Sequence, residues 1–419
     1  MNDSINPRRR AARAGRLLAC SIAVPLLAAG TAVAQSWEKI TATESQYSVV
    51  VNGEHREVAP GCITGGATGD ARYSFYFKRG NLGKLVVFFN GGGACWNGAT
   101  CIAGAQGPQP LYVPTADTLF NHPAAWGGLL NTDAEDNPYR DWSMAFLPYC
   151  TADVHIGSKT TLYQFGGASV PITHRGFDNF LFARDWIERN SPKVEKLLVA
   201  GSSAGAYGAA LNYGHLREAF PAAAAYLIGD GGSGVVTSAF VASALDQSWG
   251  GGANLPAALQ PLRNQPSEYF LPAAYGLLTF RYPKDLFSQY TTAWDGVQTL
   301  IYNVMLHQDA PEAWFSTLGG AVVPWHVTMR TFAYTNAAAG NYRHFIANGC
   351  EHTILRIEDS FYSDAKVGKT SFLDWLSAQT HPNARSPRPQ WTNRDACGEP
   401  GGCPPPSVPQ LIACAAQPG

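Results

Sequence analysis

Ser203 stands in the run LLVAGSSAGAYGAALNYG, residues 197–214, at the centre of Gly201-Ser202-Ser203-Ala204-Gly205. An apolar stretch leads into this G-x-S-x-G spacing, and a stretch of small residues follows it. That is the setting in which a sharp strand-to-helix turn lifts a serine hydroxyl above a sheet edge, with glycines where side chains would clash. The helix after the turn brings N–H groups and a positive dipole to a developing oxyanion. A glycine–serine corner without chemistry has the same composition, and Ser202 offers a second hydroxyl. The groups available to serve the serine must decide.

A nucleophilic serine needs a base, an acid that orients the base, and an oxyanion hole. On a strand–turn–helix scaffold of this kind the acid and then the histidine follow the serine in the chain. Of the histidines after Ser203, His352 in ANGCEHTIL lies just past an apolar run and beside Cys350. It is the expected base. His344 falls inside that run, and His215 is placed one turn past the serine's helix. Asp295 follows LFSQYTTAW and precedes GVQTLIYNVML, which makes it the expected acid. Asp230, in IGDGGSG, is its rival, or else orders its own turn. Ahead of the serine, VVFFNGGGACWNG (86–98) runs from an apolar stretch into glycines. The N–H groups of Gly92 and Gly93, joined by that of Ala204, are the expected oxyanion donors, because no Cβ blocks the approach. Trp96, Tyr149, Trp249 and Trp294 flank these segments and are candidates to line a pocket, with core packing as the alternative.

The elements that must hold these groups can be read from periodicity. Residues 73–77, 84–89, 144–149, 195–200, 223–229, 286–294 and 342–349 read as buried strands. Residues 176–190 place Phe177, Phe180, Leu181, Ala183, Trp186 and Ile187 at near-helical spacing. Alternating strands and helices imply right-handed crossovers and an α/β fold with a mostly parallel sheet. Two stretches break the rhythm, 103–140 and 231–283, both rich in Gly and Pro. They are candidate lids or pocket walls.

The 419 residues are 46% apolar and 15% charged, as suits a folded enzyme. Residues 1–34 read as an export signal: Arg8, Arg9, Arg10, Arg13 and Arg16, a short apolar core, and AVA before Gln35. The paired arginines suggest a twin-arginine route, although the residues after them fit it poorly. Taking the five Arg and one Asp of that segment from the totals of 30 and 31 leaves 25 basic and 30 acidic side chains. No basic field points to nucleic acid, and no other segment suggests a membrane anchor. Eight cysteines remain, an even number that in an exported chain reads as disulfides. Cys95–Cys101 is a reasonable local bridge; the other pairings stay open. No Cys-x-x-Cys or paired-His spacing suggests zinc. The expected organisation is the signal over 1–34, a catalytic domain over 35–385, and a Pro/Gly/Cys-rich strap over 386–419.

FFNGGGACWN, LPYCTADVHIG, VAGSSAGAYGAALN, LIGDGGSG, QYTTAWDGVQ and NGCEHTIL, taken together and in this order, resemble the pectin acetylesterase family, which includes the Notum carboxylesterases. The resemblance spans about residues 60–360. It implies an α/β-hydrolase fold and carboxylic ester hydrolysis, with Ser203, Asp295 and His352 as the triad and Gly92, Gly93 and Ala204 as the oxyanion hole. It also implies disulfides Cys95–Cys101 and Cys62–Cys150. The chain departs from the family where Gly93-Ala94 replaces an aromatic beside the hole, where the stretch after Asp230 lacks one, and in the cysteine-rich tail from Cys397.

The expected function is therefore a secreted or periplasmic serine esterase, with no cofactor or metal and monomeric. It would remove a short acyl group, acetyl above all, from a polysaccharide such as pectin or from a small ester, with Trp96 and Trp294 contacting substrate. A polyester depolymerase or a feruloyl-type esterase would use the same triad. A catalytically silent binding protein on the same fold is the alternative of another class.

Overall fold

In the computed structural model, residues 36–416 are described, apart from 52, 107–109, 264, 266 and 381–390. The expected signal over 1–34 and the expected boundary at 385 lie outside the described residues.

Among the described residues nine strands form one sheet. In chain order they are β1 (Glu38–Thr41), β2 (Ser74–Lys78), β3 (Asn81–Phe89), β4 (Trp142–Leu147), β5 (Lys196–Ser202), β6 (Ala224–Asp230), β7 (Leu286–Thr292), β8 (Tyr342–Ala347) and β9 (Arg394–Asp395). Their order across the sheet is β1-β2-β4-β3-β5-β6-β7-β8-β9. The contacts β1–β2 and β2–β4 are antiparallel, and every pairing from β4 through to β9 is parallel. This is a mixed α/β fold of the α/β-hydrolase type. The central strands read as near-continuous apolar runs because helices cover both faces. Val86 and Phe88 of β3 face one core cluster while Leu85, Val87 and Phe89 face the other. The strand ends carry the functional residues: Asn90 follows β3, Ser203 follows β5, Asp230 ends β6, Asp295 lies just past β7, and the His352 loop follows β8.

The main helices are α1 (Gly176–Asn190), α2 (Ala204–Ala219), α3 (Phe270–Arg281), α4 (Gly296–Leu306), α5 (Leu318–Asn336) and α6 (Val408–Ala415). α1 occupies the residues expected from its periodicity. His215 lies within α2 rather than beyond it, because the small residues after Ser203 continue as helix for sixteen positions. The described residues of 103–140 include short 3₁₀ turns at Ala103–Ala105, Leu119–Asn121, Pro123–Ala125 and Gly128–Leu130, as befits a Gly/Pro-rich connection. The described residues of 231–283 are more ordered than their composition suggests. They hold helical turns over 238–248 and 252–262 before α3. Two hairpins off the main sheet, 47–51 with 54–58 and 159–165 with 168–174, carry weak alternation and were not expected. The C-terminal residues are less irregular than expected for a strap: β9 extends the sheet edge and α6 packs on α4.

Candidate active site

Ser203 has φ 57° and ψ −126°, a left-handed conformation that is costly for a residue with a Cβ. The surrounding turn imposes it. A Cβ on Gly201 would lie 2.1 Å from the Gly205 carbonyl oxygen, and one on Gly205 would lie 2.0 Å from that of Phe89. Both glycines of the motif are therefore required by close backbone approach. Ser203 is the N-cap residue of α2, yet its hydroxyl makes no capping bond. Its oxygen is left free, and Ser203 lines a cavity together with His352.

His352 is buried at 4% exposure. Its Nδ1 lies 2.9 Å from Oδ1 and 2.8 Å from Oδ2 of Asp295, which is itself fully buried. A carboxylate accepts only, so Nδ1 carries the proton and Nε2 is the basic nitrogen. Nε2 has no hydrogen-bond partner, so its link to the Ser203 hydroxyl is not made in this structure. Asp295 is fixed from its own side as the N-cap of α4, where Oδ1 accepts from the Gln298 N–H at 2.9 Å. The Gln298 side-chain Nε2 donates to Oδ2 at 2.7 Å. The two loops are also bonded to each other, with the Trp294 N–H donating to Gly349 O and the Gly296 N–H to Cys350 O.

The rival acid Asp230 lies elsewhere in the network. It accepts from Ser202 Oγ at 2.6 Å and from the N–H groups of Ile354 and Leu355 at 3.0 and 2.9 Å. Burial raises its carboxyl above the usual range, opposed by these hydrogen bonds. Ser202 and Asp230 thus hold the turn after β5 against the loop that carries His352.

Gly92 and Gly93 adopt φ 143° and 73°. A Cβ on Gly93 would fall 1.8 Å from the Leu111 carbonyl oxygen. Gly93 opposes Tyr112 in an isolated antiparallel bridge whose bonds are made by its neighbours, Val113 N–H to Gly92 O and Ala94 N–H to Leu111 O. The Gly93 N–H is thereby left out of the ladder. Gly91 backs the serine, because a Cβ there would sit 2.7 Å from Ser203 Cβ.

Asn90, just before these glycines, is held by residues that the sequence did not single out. Its carbonyl meets His155 Nε2 at 2.8 Å, and its Oδ1 accepts from Arg356 Nη1 at 2.5 Å. Arg356 is buried against Phe120 and Trp126, and burial pulls its guanidinium down to about 9. His155, pushed to about 4 by burial, follows Asp153 in a loop where Ala152, Val154 and His155 all have positive φ. Asp153 holds that loop through the His155 and Gly176 N–H groups.

The cavity at Ser203 has a volume of about 90 Å³. Ser203, Ala204, Gly93 and His352 form its polar end; Val236, Phe240, Ala244, Leu245, Trp249 and Leu271 are among its apolar walls. Trp96 and Trp294, expected to contact substrate, do not line it. Trp96 packs behind the wall on Phe240, with its Nε1 donating to Gln308. Trp294 stacks on His326 and donates to the Cys403 carbonyl. Both are core residues because their N–H groups find partners away from the cavity. Of the four aromatics named from the sequence, Trp249 is on the wall. The apolar spacing at 236, 240, 241, 244 and 245 is a helical stripe that would have exposed the rest of the wall.

Disulfides join Cys62–Cys150, Cys95–Cys101, Cys350–Cys414 and Cys397–Cys403. Among the described residues three clusters have metal-ligand types, but each contains one of these bonded cysteine pairs, whose sulfurs are already spent. No helix among the described residues is long and apolar enough to cross a membrane.

Residues 53–238 match the family model for pectinacetylesterases. Over these residues the chain is similar to pectinacetylesterases. The match takes in the glycine turn and Ser203, whereas Asp295 and His352 lie beyond it. Among curated relatives, the human palmitoleoyl-protein carboxylesterase NOTUM is 30% identical over 153 residues, 34% of this chain and 28% of its own length. The protein of the same name from Schmidtea mediterranea is 27% identical over 141 residues, 32% of this chain and 24% of its own length. The matches thus span about a quarter of those relatives. The Wnt deacylase Notum from Drosophila has a similar fold, with a TM-score of 0.56 at 18% identity, covering 82% of this chain and 94% of that one.

Proposed function

We propose that this chain is an exported serine carboxylesterase. The observation that carries the reading is His352, whose Nδ1 is held by both oxygens of a buried Asp295 while its Nε2 is left unpaired in the loop beside Ser203. Ser203 Oγ attacks the ester carbonyl, and His352 Nε2 takes its proton. Asp295 keeps the histidine in the required tautomer and stabilises the imidazolium. The N–H groups of Gly92, Gly93 and Ala204 receive the oxyanion. The alkoxide leaves with the proton from His352, and water releases the acid from the acyl-enzyme by the same steps in reverse. Four disulfides support export to an oxidising compartment.

The cavity favours a longer acyl group than acetyl. The cavity of about 90 Å³ has room for more than an acetyl group. An aliphatic chain such as hexanoyl lies along the apolar walls and gains about 0.8 kcal/mol per buried methylene. The names of the relatives carry a fatty acyl group too.

The test is turnover of p-nitrophenyl acetate, butyrate, hexanoate and octanoate, with acetylated pectin and methyl ferulate alongside, by wild type and Ser203→Ala. Hexanoate is expected to give the highest kcat/KM and Ser203→Ala to abolish it. A Ser203→Ala variant with wild-type turnover sinks the mechanism. A wild type inert on every ester favours the binding-protein reading, and a preference for acetylated pectin restores the deacetylase one.

A further inference from the structure

Gln298 is the last residue of QYTTAWDGVQ, and nothing in the mechanism above uses its side chain. Its amide is fully committed. Nε2 donates to Asp295 Oδ2 at 2.7 Å and to Thr291 Oγ1 at 3.0 Å, while Oε1 accepts from the Ser233 N–H at 2.7 Å. Two donors and one acceptor each have a partner, so the amide has one orientation. The residue is buried, lines the cavity, and sits in the first turn of α4, three residues past the acid.

The three contacts join different parts of the site. Asp295 holds the histidine. Ser233 belongs to the segment after β6 that continues into the cavity wall at Val235 and Val236. We propose that Gln298 is a positioning residue that couples the triad carboxylate to the acyl-pocket wall: its amide fixes Asp295 Oδ2 with one end and the wall segment with the other. This rests on the esterase reading for its kinetic part only.

Two consequences follow. Asp295 Oδ2 shares its charge between His352 Nδ1–H and the Gln298 amide. Removing the amide donor leaves more of that charge facing the imidazole, so the hydrogen bond from His352 Nδ1–H to Asp295 strengthens. The other groups around this carboxylate are Tyr207 on α2, Tyr290 on β7, Asp230 at the end of β6 and Glu351 beside the histidine, all present in both proteins. Loss of the Ser233 contact frees the wall, which matters for a long acyl chain and little for acetyl.

The experiment is Gln298→Met, which keeps the length and shape of the side chain without donor or acceptor. NMR of histidine-labelled protein is expected to show the His352 Nδ1–H resonance moved downfield of its wild-type position, whether or not any ester is turned over. In kinetics, kcat falls about 10- to 100-fold for all esters. KM rises for the hexanoate but not for the acetate. An unmoved Nδ1–H resonance overturns the proposal even with reduced activity, because a merely structural glutamine would give that pattern. If the variant does not fold, His352→Gln labelled in glutamine amides supplies the test. The Gln298 amide protons must move when the imidazole is removed from the shared carboxylate, and amide protons that stay in place overturn the proposal as well. A moved resonance in a chain with no esterase activity keeps the coupling and sinks only the functional reading.

Discussion

Arg356 Nη1 donates to Asn90 Oδ1 at 2.5 Å across 266 residues of sequence, joining the segment after His352 to the residue before the oxyanion glycines. The pair draws together two sheet-end loops that both line the cavity, through Gly93 and His352. Both residues are buried, and the guanidinium is sandwiched against Phe120 and Trp126. Removing one partner leaves a buried polar group unpaired, which costs about 2–4 kcal/mol. Arg356→Leu is therefore expected to lower the urea unfolding free energy by about that much and to reduce kcat more than KM. An Arg356→Leu protein with unchanged midpoint and kcat refutes the bracing role.

Cys350 lies two residues before His352, and Cys414 lies on α6, so their disulfide ties the histidine loop to the C-terminal helix. α6 also reaches the acid. A Cβ on Gly296, next to Asp295, would come 2.9 Å from Cys414 Cβ. The crosslink spans 64 residues, for which loop-closure entropy amounts to about 4 kcal/mol. Replacing both cysteines with serine is expected to reduce stability by a few kcal/mol and kcat about tenfold, with the sheet intact by circular dichroism. Full activity in that variant shows that the helix does not position His352.

Buried histidines set the response to acid. Burial pushes His155, His174 and His344 down to about 4 in the fold, against about 6.5 in the unfolded chain. Between those values the unfolded state binds more protons, so stability falls as pH drops from about 6.5 towards 4. Asp153 works the other way. Burial raises it to about 7, so the native state keeps a proton that the unfolded state has lost, and its contribution falls as pH rises through that window. His326 is lowered as well, while Asp178 and Asp230 are raised and act with Asp153. The histidines are expected to prevail, so the urea midpoint drops on acidification from pH 7 to 4.5. Asp153→Asn removes one opposing group and steepens the drop. A midpoint that is flat or rises towards pH 4.5 contradicts this assignment.

The reading of sequence reached the parts of the molecule that local chemistry dictates. G-x-S-x-G, the glycine run after β3 and the position of Asp295 after an apolar strand each follow from what a turn or a strand end requires. The choice between Asp230 and Asp295 did not. Both end strands, and only the fold places Asp295 against His352 and Asp230 against Ser202. Asn90–Arg356 and Gln298–Ser233 are contacts between distant segments with no periodic signature. Trp96 and Trp294 lie off the cavity because a large aromatic near a motif packs in the core as readily as in a pocket, and their N–H partners lie far along the chain.

The apolar wall makes chain-length preference separable from catalysis. Ala244 lines the cavity from a helical turn and contributes only a methyl group there. Phenylalanine at this position would occupy the volume of about three methylenes, each worth about 0.8 kcal/mol, or roughly 50-fold in kcat/KM. Ala244→Phe is expected to lose that factor on hexanoate and octanoate while keeping acetate turnover close to wild type, since Ser203, His352 and the glycine turn are untouched. Phe240→Ala acts in the opposite direction, opening the wall in front of Trp96 and raising octanoate relative to hexanoate. Overpacking at Ala244 costs about 1–3 kcal/mol of stability, so both variants are compared below their unfolding transitions. Equal losses on acetate and octanoate in Ala244→Phe, together with an unchanged profile in Phe240→Ala, place the acyl chain elsewhere and remove the argument for a chain longer than acetyl.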